Sequence, residues 1–289
     1  MPGTPTIRRR LNRLFTVSLG ALLAVVMQAA LTRADVGDVT EYPITTPDSF
    51  PAGITAGPDR ALWFTESNAG KVGRITTGGA MTEFALPTES SFPFDITQGP
   101  DRALWFTEGA ADKIGRITTE GAVTEFPLPV AGSFPTGITL GADRALWFTE
   151  NGTNKIGRIT RSGTITIFPR PNPGGGADGM TRGPDGNMWY ADQLGHVGRI
   201  TPTGEITEFP VPGGADKVPF NMATGPDRNL WFTELIGNAI GRVEALPGRG
   251  VGPDAAAPQP SPKGPRPERP RRLLPCSTGT PLGTASFCR

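Results

Sequence analysis

Only two of the 289 residues are cysteine, and only one is histidine. Cys276 and Cys288 both lie close to the C-terminus, so no disulfide framework staples the bulk of the chain. Outside the cytoplasm the two could pair and close one small terminal loop. One histidine, His196, leaves no zinc-ligand spacing, and there is no glycine-rich phosphate loop and no nucleophile–base signature. The net charge is +1, which gives no field for steering a strongly charged partner, and nucleic acid is not among the expected partners. No segment of the repeating part carries a 3.6-residue apolar period, so helices are not expected there.

The one long apolar run, residues 14–30, follows a basic stretch with Arg8, Arg9, Arg10 and Arg13. Thr32 and Ala34 supply small residues three and one positions before a cleavage point. This is the pattern of a secretory signal over residues 1–34. The run is short and is interrupted by Ser18, Gly20 and Gln28, which argues against a retained membrane anchor. The flanks of the arginine pair match a twin-arginine signal poorly. The chain is therefore expected to be secreted or periplasmic, with no membrane attachment once the signal is removed.

What the chain has in abundance is repetition. Gly57-Pro58-Asp59-Arg60-Ala61-Leu62-Trp63-Phe64-Thr65-Glu66 returns at residues 99–108, 141–150, 183–192 and 225–234. The five tryptophans, Trp63, Trp105, Trp147, Trp189 and Trp231, are spaced 42 residues apart throughout. Each unit reads as four short strands. The first surrounds Ile54. The second runs from Ala61 and is rich in aromatic and β-branched residues. The third begins at Lys71 and the fourth at Met81. Gly57-Pro58-Asp59-Arg60 is the turn between the first two, with proline setting φ and aspartate bonding its own backbone. Four antiparallel strands per roughly 40-residue repeat mark a propeller blade, with the tryptophan packed between neighbouring sheets. The expected fold is an all-β propeller of five 42-residue blades spanning residues 35–247.

The ends of the array are uneven. Residues 35–44 resemble the end of a blade, a spare fourth strand, whereas the fifth repeat has no fourth-strand pattern after Val243. A spare strand at one end and a missing one at the other suggest ring closure through a shared blade, which would remove two exposed edges. Residues 248–289 are dominated by proline, glycine and arginine and read as a disordered, basic tail. The composition changes abruptly in mid-blade, as a shift of reading frame after about residue 244 would make it.

Each second strand ends in an acid: Glu66, Glu108, Glu150, Asp192 and Glu234. In a radial array equivalent positions approach the axis on one face, where an oxygen-rich ring suits a hard cation such as Mg²⁺. The plainer reading pairs each acid with a neighbouring cation such as Arg74 or Lys71. Near the axis, the position after the first-strand proline holds Ala52, Phe94, Thr136, Asp178 and Phe220, followed by Gly53, Asp95, Gly137, Gly179 and Asn221. Asp95, Asp178 and Asn221 are polar departures that could line a central funnel. The expected ligand is a small molecule or peptide at the central face, and the expected state is a monomer.

The combined motif resembles the streptogramin B lyase family. It runs Phe-Pro-x-Gly-Ile-Thr, Gly-Pro-Asp-x-x-Leu-Trp-Phe-Thr-Glu, Lys-Ile-Gly-Arg-Ile and Thr-Glu-Phe-Pro-Leu-Pro, and covers residues 38–243. The resemblance implies a seven-bladed propeller and a Mg²⁺-dependent lyase. Such a lyase linearises a cyclic depsipeptide antibiotic by elimination across its ester, with a histidine base in the Phe-Pro-x-Gly-Ile position and the blade acids as metal ligands. The acids match at Glu66, Glu108, Glu150 and Glu234, and conservatively at Asp192. The histidines do not, since Ala52, Phe94, Thr136, Asp178 and Phe220 stand in their places. His196 falls in a loop before Gly198-Arg199, where the other repeats carry Lys71, Lys113 and Lys155; it and Asp178 are weak candidates for a substitute base. Five blades turn about 72° each and seven about 51°, so interfaces shaped for seven would leave an open arc. A non-catalytic binding propeller and a metal-dependent lactonase-like hydrolase are the alternatives.

Overall fold

The computed structural model describes residues 39–172 and 174–246. The export signal expected over 1–34 and the tail expected over 248–289, with both cysteines, lie outside the described residues. Blade one comprises β1 (Pro51–Ala56), β2 (Ala61–Glu66), β3 (Lys71–Thr76) and β4 (Met81–Ala85). Blade two comprises β5 (Pro93–Gln98), β6 (Leu104–Glu108), β7 (Lys113–Ile117) and β8 (Val123–Pro127). Blade three comprises β9 (Pro135–Leu140), β10 (Leu146–Glu150), β11 (Lys155–Ile159) and β12 (Ile165–Pro169). Blade four comprises β13 (Ala177–Arg182), β14 (Met188–Asp192), β15 (His196–Ile200) and β16 (Ile206–Pro210). Blade five has β17 (Pro219–Thr224), β18 (Leu230–Glu234) and β19 (Ala239–Val243). Every sheet is an antiparallel meander in chain order.

The repeat motif works as a strut inside each blade. Asp59 Oδ1 accepts from Trp63 Nε1 at 3.1 Å, and its Oδ2 accepts from Arg74 Nε at 2.6 Å. One carboxylate thus ties the turn, the second strand and the third. Asp101 and Asp143 repeat this with Trp105 and Arg116 and with Trp147 and Arg158. Burial works against the charge on Asp59, but the bonds from Arg74 and Trp63 hold its pKa below the ordinary value. The glycine before each arginine makes room for an aromatic ring. A Cβ on Gly115 would come within 2.1 Å of the Phe106 ring lying across it. In blades one to four the tryptophan stacks on the fourth-strand phenylalanine of its own blade, as Trp63 does on Phe84 at 5.5 Å and Trp105 on Phe126 at 5.4 Å.

The core sits between blades. Trp105 clusters with Ile138, Leu146 and Phe148 of the next blade. First strands lie side by side in sequence order, β1 by β5, β5 by β9, β9 by β13 and β13 by β17. A buried threonine bridges them. Thr107 Oγ1 accepts from Asp95 N–H at 3.1 Å and donates to the Thr136 carbonyl at 2.8 Å in the next blade. Thr65 and Thr149 make the same latch.

The closure expected from the sequence does not form among the described residues. Residues 39–43 join no strand, and blade five remains three-stranded. Tyr42 instead lies against Gly79 of blade one, as Phe84 lies against Gly121 and Phe126 against Gly163. The short link into β1 keeps this segment on blade one's side, so the five blades describe an open arc.

Candidate functional site

The loop face of the arc is built by the starts of the first strands and the loops after the second strands. Each pair is pinned by a backbone hydrogen bond. Ser67 N–H donates to Phe50 O at 3.0 Å, Gly109 to Phe92 O at 3.0 Å, and Asn151 to Phe134 O at 3.1 Å. Phe50, Phe92 and Phe134 have φ of 54°, 54° and 42°, in the left-handed region. That conformation costs about 1–2 kcal/mol for a residue with a Cβ, and the pinned carbonyls hold it. The three phenylalanines form a row along the face of blades one to three, with the Phe92 and Phe134 rings 6.4 Å apart. Phe50, Phe134 and Phe220 are exposed.

Blade four breaks the row. Gly176 takes the phenylalanine position, and Asp178 follows. The Asp178 carboxylate accepts from Asn151 Nδ2 at 2.9 Å and from Gln193 Nε2 at 2.5 Å. Burial raises its pKa, and those two amide bonds pull it back. Asp95 is placed differently: its oxygens accept from Ile96 N–H at 2.8 Å and from Ile138 N–H at 2.9 Å. It staples blade two to blade three. Asn221 Oδ1 accepts from Met222 N–H at 2.8 Å. Of the three polar departures, Asp178 alone has a carboxylate held by side chains on the loop face.

The second-strand acids point into the blades. Glu66, Glu108, Glu150 and Asp192 are fully enclosed, and Glu66 and Glu108 have no hydrogen-bond partner at either oxygen. The cations expected to pair with Glu66 are engaged elsewhere. Lys71 binds Glu83 at 2.9 Å and Arg74 binds Asp59. Burial, with Glu125 nearby, pushes the Glu108 carboxyl up to about 7; burial raises Glu66 and Glu150 as well. A magnesium ion needs several oxygen ligands converging on one point. Among the described residues no three His, Cys, Asp or Glu side chains come together in that way. The five acids therefore do not fit a shared magnesium ion.

His196 opens β15 rather than lying in a loop. Its Nδ1 stands 3.4 Å from Asp192 Oδ2, in the third strand from the axis and away from the first-strand position. The same region holds a group that motif reading missed. Arg170 is buried, its guanidinium 2.5 Å from Asp192 and 3.1 Å from Glu208, with its Cζ 5.0 Å from the Tyr190 ring centroid. Tyr190 O–H donates to Glu208 at 2.9 Å. The signal was present: Arg170 stands where the other linkers carry Leu86 and Leu128.

A model of the virginiamycin B lyase family matches residues 22–250. A virginiamycin B lyase from Saccharopolyspora erythraea is 45% identical over 42 residues, 14% of each chain. The match thus spans a small part of that relative's length. Selenomethionine-substituted virginiamycin B lyase from Staphylococcus aureus is 48% identical, with a TM-score of 0.69 over 71% of this chain and 70% of that one. A catalytically inactive histidine-to-alanine variant of the S. aureus lyase, solved with quinupristin, is 45% identical, with a TM-score of 0.70 over 73% and 72%. The chain belongs to the virginiamycin B lyase family.

Proposed function

We propose that this member of the virginiamycin B lyase family is an exported, monomeric propeller that binds a cyclic depsipeptide of the streptogramin B type without turning it over. The observation that carries the reading is the composition of the loop face. An aromatic row, Phe50, Phe92 and Phe134, leads to a carboxylate, Asp178, held by two amides, and no first strand bears a histidine. Aromatic rings offer large, rigid apolar contact to a macrocyclic peptide. The side-chain amides of Asn151 and Gln193, fixed by Asp178, offer donors and acceptors to its peptide groups. Elimination needs a group to take the proton α to a carbonyl. His196 opens the third strand beside Asp192, two strands outward from the first-strand position that Asp178 occupies.

The test is calorimetric titration of the full chain with quinupristin, with Mg²⁺ and with chelator, followed by mass spectrometry of the recovered ligand. Saturable binding with the ring intact supports the reading. A linear product of unchanged mass would instead make the chain a lyase, with Asp178 as the first base to substitute. A product heavier by one water would favour the lactonase-like alternative. No binding would remove the depsipeptide as the ligand.

A further inference from the structure

The net charge of +1 conceals an uneven distribution. In each blade the first strand runs from the loop face to a tight turn at the opposite end, as β1 does from Pro51 to Ala56. The turn between the third and fourth strands lies at that same end, because Ala56 pairs with Leu62, Ala61 with Thr76 and Ile75 with Met81. The blades share this turn end, since their first strands stand side by side. Across the junction of blades four and five, Thr224 Oγ1 donates to the Arg182 carbonyl there at 2.8 Å.

Among the described residues every exposed lysine or arginine lies at the turn end. Arg60, Arg102, Arg144 and Arg228 occupy the turns after the first strands, and Arg182 closes β13 before the turn of blade four. Arg161 lies in the outer turn of blade three, and Arg242 near the end of β19. Arg242 faces Glu244 at 4.0 Å. The other six make no ion pair among the described residues. The turn acids Asp59, Asp101 and Asp143 are already held by third-strand arginines, and the exposed acids left beside the six are Glu120, Glu205 and Asp227. The loops of the opposite face expose Asp48, Glu89 and Asp216 and no lysine or arginine.

The turn arginines are held at a conformational cost. Four of them have φ between 61° and 64°, where blade four uses Gly186. Glycine takes that conformation without strain, so what arginine adds there is its side chain.

Shape and composition select the partner. The arginines are spread over five blades at one level and converge on no point, so they make no pocket for a single small anion. The turns carry no aromatic and no large apolar residue. That leaves no ring for a base to stack on and no wedge to enter a groove or a bilayer. An array of guanidinium groups at one level is matched by an array of phosphates in a plane. Arginine meets phosphate with two parallel N–H donors, and an anionic leaflet attracts such residues without insertion.

We infer that the turn end docks by charge on an anionic phospholipid surface. The loop face, at the other end of the same strands, is then turned toward solution. β1 has six residues, which sets the two faces ~20 Å apart. No helix among the described residues is long and apolar enough to cross a membrane, and this contact needs none. The inference does not rest on the ligand proposed above.

The test is co-sedimentation of the full chain with vesicles of equimolar phosphatidylcholine and phosphatidylglycerol, with phosphatidylcholine vesicles as the neutral control. Binding to the anionic vesicles alone is expected, weakening as salt is raised. Each basic residue at such a surface contributes roughly fivefold in affinity. The triple variant Arg60→Gln, Arg102→Gln, Arg144→Gln should therefore bind at least about tenfold more weakly. The corresponding Arg→Lys triple variant, which keeps the charge, should bind nearly as the parent does. Lys155→Gln, which removes a cation from the loop end, should leave binding unchanged. Circular dichroism and thermal unfolding establish that each variant is folded. Residues 1–34 and 248–289 also carry arginines, so the substitutions decide the matter. Binding indifferent to the Gln triple variant assigns the contact to those segments and overturns the inference. No binding overturns it as well, as does an equal loss in Lys155→Gln, which would show a response to net charge and not to this face. Binding to duplex DNA with none to vesicles would assign the face to nucleic acid, with the same result.

Discussion

Arg170 closes on Asp192 at 2.5 Å with both side chains wholly enclosed. The guanidinium replaces an apolar residue of the other linkers, and the aspartate replaces a glutamate, so the two departures from the repeat answer each other. Glu208, 3.1 Å from the same guanidinium, completes the group. A charge taken out of water is tolerable when it is paired in this way. Blades one and two have no buried guanidinium at the corresponding acid; Lys71 and Lys113 act on Glu66 and Glu108 only through space, and neither carboxylate has a hydrogen-bond partner of good geometry.

Arg170→Leu, which restores the residue of the other linkers, should therefore destabilise the fold although Leu86 and Leu128 are tolerated. It leaves Asp192 and Glu208 buried without a counter-ion, at a cost of about 3–5 kcal/mol. Urea unfolding followed by tryptophan emission measures the change. A loss below about 1 kcal/mol would mean that the guanidinium contributes little beyond packing.

Glu108 gives the opposite pH dependence to a paired carboxylate. Its folded pKa, about 7, lies above the ordinary carboxyl value of 4.5. Its protonated form is thus the one the fold favours. The associated stability is fully present below about pH 4.5 and is lost as pH rises through about 7. Glu108→Gln should match the parent near pH 4.5 and exceed it above pH 7, by up to about 3 kcal/mol. Parallel stability curves for the two proteins from pH 4.5 to pH 8 would show that the carboxyl titrates normally.

The left-handed turn residues offer a gain. Arg60, Arg102, Arg144 and Arg228 have φ near 60°, whereas blade four places Gly186 at the same point with φ of 80°. Arg144 is exposed. Arg144→Gly should relieve strain there and raise stability by up to about 1 kcal/mol, less the chain entropy that glycine adds to the unfolded state. Thermal unfolding reads the difference, and a lower midpoint would show that the turn carries no strain.

On the loop face, Phe134→Ala and Asp178→Ala should each weaken depsipeptide binding about tenfold, or 1.4 kcal/mol. His196→Ala should leave it unchanged. Titration of the three variants separates the aromatic row and the amide cradle from the third strand. An effect confined to His196→Ala would move the ligand outward from the first strands to the third strand of blade four.

The tryptophan period made the blades and their strand order legible, because a fixed spacing of second strands admits few architectures. The strut was half legible: Asp59, Trp63 and Arg74 recur together, but their meeting depends on the register that sets Trp63 opposite Arg74. The acids misled. Glu66 ends a strand whose alternation turns its side chain into the blade, and periodicity alone does not say which face a terminal residue takes. Residues 38–44 have the pattern of a strand, yet pairing requires the far edge to be within reach. The angle between blades decides that, and it is a property of the packed interfaces. Arg170 was visible as a charge in an apolar position, but its partners lie 22 and 38 residues away.

The threonine latch gives the most local test of how the blades are joined. Thr65, Thr107 and Thr149 each link a first-strand N–H to a carbonyl of the following blade. Blade four has Ala191 at this point, wholly buried, and so offers no hydroxyl to bridge Gly179 N–H to the Phe220 carbonyl beside that glycine. Ala191→Thr would place an Oγ1 where three other blades already accommodate one. It should accept from Gly179 and donate to Phe220, stabilising the junction of blades four and five by about 1 kcal/mol. Thr107→Val removes the same bridge with little change in volume and should cost about 2–3 kcal/mol, because two buried backbone groups lose their partner. Amide exchange at Gly179 in the first variant and at Asp95 in the second reads the local effect separately from global stability. Slower exchange at Gly179 and faster exchange at Asp95 are expected. A destabilised Ala191→Thr would show that the junction lacks room for the extra atoms, and that blades four and five pack in a way the other three junctions do not.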